Sequence, residues 1–156
     1  MIARADHEAM FANHPGLDAY RERILMIALC QGAALHYLNG KNGVKDLDVY
    51  TFYAAVPGVL LHPRRRRAED FGESDFGYWS KEKLIRGQRF VGRRVDLLQR
   101  SLKVRPDADP VEAVRDWLRL PTGSSKELSK KAVIGIWPRR LLGKVVWPDG
   151  YSASTR

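Results

Sequence analysis

The stretch Lys45-Asp46-Leu47-Asp48-Val49-Tyr50-Thr51-Phe52-Tyr53 decides how this chain is read. Leu47, Val49, Thr51 and Tyr53 alternate with Asp46, Asp48, Tyr50 and Phe52, and β-branched and aromatic residues dominate. That composition and period predict a β-strand. Side chains two apart on a strand share a face. Asp46 and Asp48 therefore point the same way, while Leu47 and Val49 enter the core. Aspartate is a poor strand former, and two carboxylates at this spacing repel each other. A cation reconciles them: Mg²⁺ prefers oxygen ligands and takes one or two carboxylates with phosphate oxygens and water. Two solvated acids on a half-exposed strand are the plainer explanation of the same pair.

Downstream, Arg93 to Leu102 predicts a second strand, with Val95 and Leu97 on one face and Arg94, Asp96 and Leu98 on the other. Asp96 becomes a third acid for the same site. Three acids suit two metal ions that clamp the attacking and leaving oxygens of a phosphoryl transfer. Upstream stands Gln31-Gly32-Ala33-Ala34-Leu35. A glycine at a helix N-terminus lets backbone N–H groups approach a phosphate, and the helix dipole favours the anion. A helix kink relieved by Gly32 is the alternative there.

Residues 6 to 13 predict a short helix capped by Asp6 and broken by His14-Pro15-Gly16. Leu17, Tyr20, Ile24, Ile27 and Ala28 fall at a helical period with one buried stripe. Ala33 to Leu38 reads as a second short helix, and residues 39 to 43 as a turn. Val56 to Leu61 extends the sheet around Pro57-Gly58, and residues 62 to 80 form a basic loop excursion. Asp109, Pro110 and Glu112 sign a helix start, with Val111, Val114, Trp117 and Leu118 on one face and Pro121 after its end. Ser124 and Glu127 repeat the pattern for a helix from Ser125 to Val133. Helices and strands are mixed along residues 1 to 156, so the fold class is α/β (α+β), in a single domain.

With 44% hydrophobic and 29% charged residues, the chain has the composition of a globular domain. No apolar run approaches the roughly 20 residues of a membrane span. Met1 to Met10 lacks an apolar signal region, and Cys30 is the single cysteine. The expectation is therefore a cytoplasmic protein with no membrane partner. The net charge of +9 attracts polyanions, nucleic acid and triphosphates above all, unless it serves solubility alone. Arg64 to Arg67 fits a nucleic-acid backbone, or a solvated loop balanced by Glu69, Asp70, Glu73 and Asp75. Trp117 reads as core, and packing is the better account of Trp137 and Trp147. Cys30 reads as a buried small hydrophobe.

Gln31-Gly32-Ala33-Ala34-Leu35, a spacer, and Lys45-Asp46-Leu47-Asp48-Val49 together resemble the signature of the nucleotidyltransferase (DNA polymerase β-like) superfamily. That signature is Gly-Gly or Gly-Ser at a helix start, about ten residues, an Asp-hydrophobic-Asp strand, and a third acid on a later strand. Within the superfamily the chain is most similar to AbiEii-like toxin nucleotidyltransferases of toxin–antitoxin systems. The resemblance covers residues 31 to 53, and 93 to 98. It implies a small mixed sheet flanked by helices, with Mg²⁺ (or Mn²⁺) held by Asp46, Asp48 and Asp96. Asp96 would also activate the acceptor. Gly32, Ala33, Lys45, Arg94 and Lys131 would contact the nucleotide, with Lys130 an alternative to Lys131. The implied reaction moves a nucleoside monophosphate from a nucleoside triphosphate to RNA or another hydroxyl-bearing acceptor, releasing pyrophosphate. The chain departs from the signature at Gln31, where the first glycine stands, and at Ala33, which has no hydroxyl for a phosphate. A second reading therefore keeps the fold and drops the chemistry, leaving a module that binds nucleic acid or a protein partner.

Overall fold

The computed structural model describes residues 2–41, 44, 46–62, 68–70 and 94–151. Of residues 68–70, 94 and 124 it describes the backbone alone. In chain order the elements are α1 (Ile2–Asn13), a 3₁₀ segment (Pro15–Arg23), β1 (Ile24–Cys30), α2 (Gln31–Asn39), β2 (Asp46–Ala54), β3 (Ala68–Asp70) and β4 (Arg94–Leu102). Then follow α3 (Pro110–Arg119), α4 (Ser124–Ser129), β5 (Val133–Trp137), a 3₁₀ turn (Arg139–Leu141) and β6 (Val145–Trp147). The strands make one mixed sheet in the order β3-β4-β2-β1-β5-β6. Only β2 and β4 run parallel; the other pairs are antiparallel. The class is α+β.

The chain departs from the sequence expectations where an apolar run is buried on both sides. Ile24 to Ala28 lie on strand β1, not on a helix that continues from Leu17. Ile24-Leu25-Met26-Ile27-Ala28-Leu29-Cys30 is uninterrupted apolar sequence because β1 is central, paired to β2 on one edge and β5 on the other. Such a strand loses the alternation that marks a half-exposed one, and periodicity alone does not separate it from a buried helix. Leu17 and Tyr20 do sit on a helical segment, a 3₁₀ one that stops at Arg23.

One face of the sheet carries Tyr50, Phe52 and Ala54 of β2 with Leu98 and Leu102 of β4, packed under Val111, Val114 and Leu118 of α3 and Leu128 of α4. Trp117 meets Phe52 edge-on, with ring centroids 5.7 Å apart. The other face carries Val95, Leu97, Leu47 and Val49 against Ala3 and Ile27, so the sheet is covered on both sides. There α1 is fixed by a 2.9 Å hydrogen bond between His7 Nε2 and Thr51 Oγ1. α1 is under way by Ile2, so Asp6 is a buried residue within it and not its cap.

The start of α3 follows the sequence. Asp109 Oδ1 accepts from the N–H groups of Val111 and Glu112 at 2.9 Å each. The Glu112 carboxylate pairs with Arg115 at 2.8 Å. Arg115 also donates to the Val146 carbonyl and bridges to Asp149, which ties α3 to the β6 end of the sheet. α4 is shorter than expected. It ends at Ser129, has Gly123 at its N-cap without a side-chain bond, and Val133 belongs to β5. Val56 to Leu61 forms a turn instead of extending the sheet. The expected excursion at 62 to 80 contributes β3 along the edge of β4. Arg64 to Arg67 lie outside the described residues. No helix among the described residues is long and apolar enough to cross a membrane.

Candidate functional site

The end of the sheet where β1 finishes and β2 and β4 begin gathers the chemistry. β2 and β4 run parallel and in register, with Asp46 opposite Arg94 and Asp48 opposite Asp96. Parallel neighbours sit about 4.8 Å apart and point their opposed side chains to one face. Asp48 and Asp96 therefore share a rung, and Asp46 lies on the same face one pleat earlier. Asp46 and Asp48 are half-buried, while Asp96 is 2% exposed. Among the described residues no group of three or more His, Cys, Asp or Glu side chains closes into a metal cluster. The Asp48–Asp96 rung is nonetheless a donor set of the kind Mg²⁺ uses. That ion binds one or two protein carboxylates and draws its other ligands from phosphate and water. Of Arg94 only the backbone is described, and Lys45 lies outside the described residues.

Helix α2 leaves the same end of the sheet. The Gln31 backbone N–H donates to the Ala132 carbonyl at 3.1 Å. Gln31 has φ 59°, and no other non-glycine among the described residues has a positive φ. Left-handed backbone is the conformation glycine tolerates at least cost. Position 31 thus holds a backbone conformation that favours glycine. Cys30, at the N-cap, makes no side-chain bond to the first helical amides. Gly32 is half-buried, and the Ala33 methyl is buried, which leaves Ala33 its backbone N–H for any ligand. Residues 31 to 35 are the first residues of α2 and follow strand β1 directly, where the sequence predicts a position between two helices.

The Gln31 side chain links two further residues. Its amide oxygen accepts from Lys131 Nζ at 3.3 Å, and its side chain hydrogen-bonds to Tyr50. Lys131 therefore reaches the helix start, whereas Lys130 is taken by Glu127 at 2.7 Å. Of the two lysine candidates, Lys131 is the one that stands beside Gln31.

Arg100 was not among the sequence candidates. It lies on the Asp96 face of β4, four residues along, and is 8% exposed. Its Nη1 donates to the Gln99 carbonyl at 2.7 Å, and its guanidinium carbon stands 5.4 Å from the centre of the Tyr50 ring. Tyr50 is paired with Leu98, two rungs beyond Asp48 and Asp96 and on the same face. Burial pushes the Tyr50 hydroxyl above the usual tyrosine range, with the Arg100 charge working against that rise. Burial likewise pushes the Cys30 thiol well above its ordinary value, the Asp48 carboxylate adding to the rise and Arg100 opposing it. Both charges are thus felt by the same two side chains. The signal for Arg100 was legible, because Asp96, Leu98 and Arg100 alternate at the strand period. An arginine between apolar neighbours is ordinarily assigned to solvent.

Cys30 is fully buried at the end of β1 opposite Asp48, a small core residue as expected. Trp147 packs with its Nε1 donating to the Ser129 carbonyl at 2.7 Å. Trp137 joins the α1 face. No protein-family model, curated protein or solved structure matches this chain. What the fold and site define is therefore a class: an α+β protein with paired aspartates at the opening end of two parallel strands.

Proposed function

We propose that this protein is a metal-dependent nucleotidyltransferase that moves a nucleoside monophosphate from a triphosphate to RNA or another hydroxyl-bearing acceptor. One observation carries the reading. Asp48 and Asp96 oppose each other on parallel strands, with Asp46 on their face, at the sheet end from which α2 starts at Gln31-Gly32. This juxtaposition joins stretches about fifty residues apart in the chain and repeats the order of the resembled signature.

In this reading Asp46, Asp48 and Asp96 would hold Mg²⁺ or Mn²⁺, which supplies charge to phosphoryl oxygens and eases loss of the acceptor proton. The residues of the chain do the rest. The N–H groups at Gly32 and Ala33 receive phosphate oxygens, and the Lys131 ammonium, already at the helix start, neutralises the triphosphate tail. Lys45 and Arg94 are the further nucleotide contacts that the resemblance implies. The acceptor oxygen bonds to the α-phosphorus, the bond from that phosphorus to the bridging oxygen breaks, and pyrophosphate leaves. The acceptor proton passes to Asp96, which stands opposite Asp48 on the neighbouring strand. The +9 charge fits an RNA acceptor, and equally an acidic protein partner of the toxin–antitoxin kind. A reducing cytoplasm suits the single buried Cys30.

The Arg100 guanidinium favours a second reading. A fixed cation near the Asp48–Asp96 rung supplies part of the charge that a metal would bring. With Gln31 and Ala33 in place of the signature residues, it fits a non-catalytic binding module on the same fold. Transfer of label from an α-labelled triphosphate, with and without Mg²⁺, separates the two. The expected outcome is Mg²⁺-dependent transfer that is lost in Asp48→Asn. Undiminished transfer by Asp48→Asn would show the assigned mechanism to be wrong, and a parent chain that transfers no label yet binds nucleic acid with steep salt dependence, unaffected by Asp46→Asn, would favour the binding module.

A further inference from the structure

Two clefts adjoin on the outer side of α2, with Leu38, Asn39 and Tyr151 in both walls. One, of about 700 Å³, is lined by His36, Tyr37 and Lys41. The other, of about 430 Å³, is lined by Lys130, Lys131 and Trp147. Tyr151 divides them and is anchored by its hydroxyl, which donates to the Leu38 carbonyl at 3.2 Å. Tyr37 and Tyr151 remain 49% and 42% exposed. No aspartate or glutamate is among the described residues that line either cleft. Lys131 stands at the end beside Gln31, and Lys41 follows the Gly40 cap at the far end. The groove thus runs along α2 for about 15 Å at 1.5 Å per helical residue.

From this arrangement we infer that the groove along α2 binds single-stranded nucleic acid. Lysines at both ends fit a phosphate backbone, and the exposed rings of Tyr37 and Tyr151 offer faces on which unpaired bases stack. A duplex keeps its bases stacked on one another and has no use for such faces. An acidic peptide would use the lysines but not the rings. The inference goes beyond the transfer reading and does not depend on it, because binding here needs none of the three aspartates.

The test is fluorescence anisotropy of a labelled twelve-nucleotide strand, as RNA, as DNA and as the duplex, without triphosphate. The single strands are expected to bind at least tenfold more tightly than the duplex, and RNA against DNA shows whether the 2′-hydroxyl is read. Tyr37→Ala with Tyr151→Ala is expected to weaken binding by at least about 30-fold, the lower end for losing two base–aromatic stacks. Tyr151→Phe keeps the ring and is expected to bind like the parent chain. Lys41→Ala with Lys131→Ala is expected to flatten the salt dependence, the log–log slope shrinking by about 1.4 for two lost phosphate contacts on a single strand. Circular dichroism of each variant guards against loss of fold. Binding by folded Tyr and Lys double variants within twofold of the parent overturns the inference. So does a duplex that binds as tightly as the single strand, or displacement of the strand by polyglutamate at equal charge. Asp48→Asn, measured alongside, is expected to bind as the parent does, so loss of transfer and loss of binding are told apart.

Discussion

Replacing Gln31 by glycine and, separately, by alanine turns the most unusual backbone position of the site into a stability measurement. Gln31 has φ 59°, and its amide bonds Lys131 and Tyr50. Both substitutions remove the amide, so side-chain bonding cancels between them and the backbone remains. A left-handed residue that carries a Cβ costs about 1–2 kcal/mol. Alanine keeps that cost and glycine removes it. Glycine also gains freedom in the unfolded chain, which returns about 0.4–1 kcal/mol. The difference favours glycine by about 1 kcal/mol, roughly fivefold in the folding equilibrium. In urea, with a slope of about 1–3 kcal/mol per molar, the glycine variant should unfold about 0.5 M later than the alanine variant. Equilibrium unfolding followed by tryptophan fluorescence reads this directly. An alanine midpoint at or above that of glycine would mean position 31 is not left-handed, and the parallel with a glycine-opened helix would fall with it.

Further outcomes are expected elsewhere. A Cβ at Gly135 would run into the Leu141 carbonyl oxygen, which belongs to backbone and has little room to give. Gly135→Ala should therefore destabilise by at least about 1–3 kcal/mol, the range for overpacking, read as a lower unfolding midpoint. Asp109→Ala removes a carboxylate that accepts from two helix amides. It should cost about 1 kcal/mol in urea unfolding, whereas an unchanged midpoint would mean the cap is not made in solution. The Cys30 thiol is fully buried and held protonated well above its ordinary range. It should resist a disulfide exchange reagent at neutral pH and react promptly in denaturant; fast labelling of the folded chain would contradict that burial.

Much of the site was legible in one dimension, because its signals are local. Asp46 and Asp48 lie two apart on a strand whose aromatic and β-branched residues announce it, and Asp109-Pro110 marks a helix start by short-range hydrogen bonding alone. β1 was misread for the opposite reason. A strand buried by two neighbours and two faces writes no alternation into its sequence. The cap assigned to Asp6 failed similarly, since α1 is already under way by Ile2 and its inner residues pack on the sheet.

What the residues determined by themselves is the pair of acids on one strand face, the candidate third acid and the basic balance. Each follows from the period of a strand or from composition, which need no partner. The tertiary structure alone decided that Asp96 stands directly opposite Asp48, since register between strands fifty residues apart is set by how both faces of the sheet are packed. It also decided that Lys131 meets Gln31, 100 positions away in the chain, and that Arg100 lies under Tyr50, 50 positions away. Burial of a charge is energetically tolerable only where the fold supplies neighbours, and the fold, not the local sequence, names them.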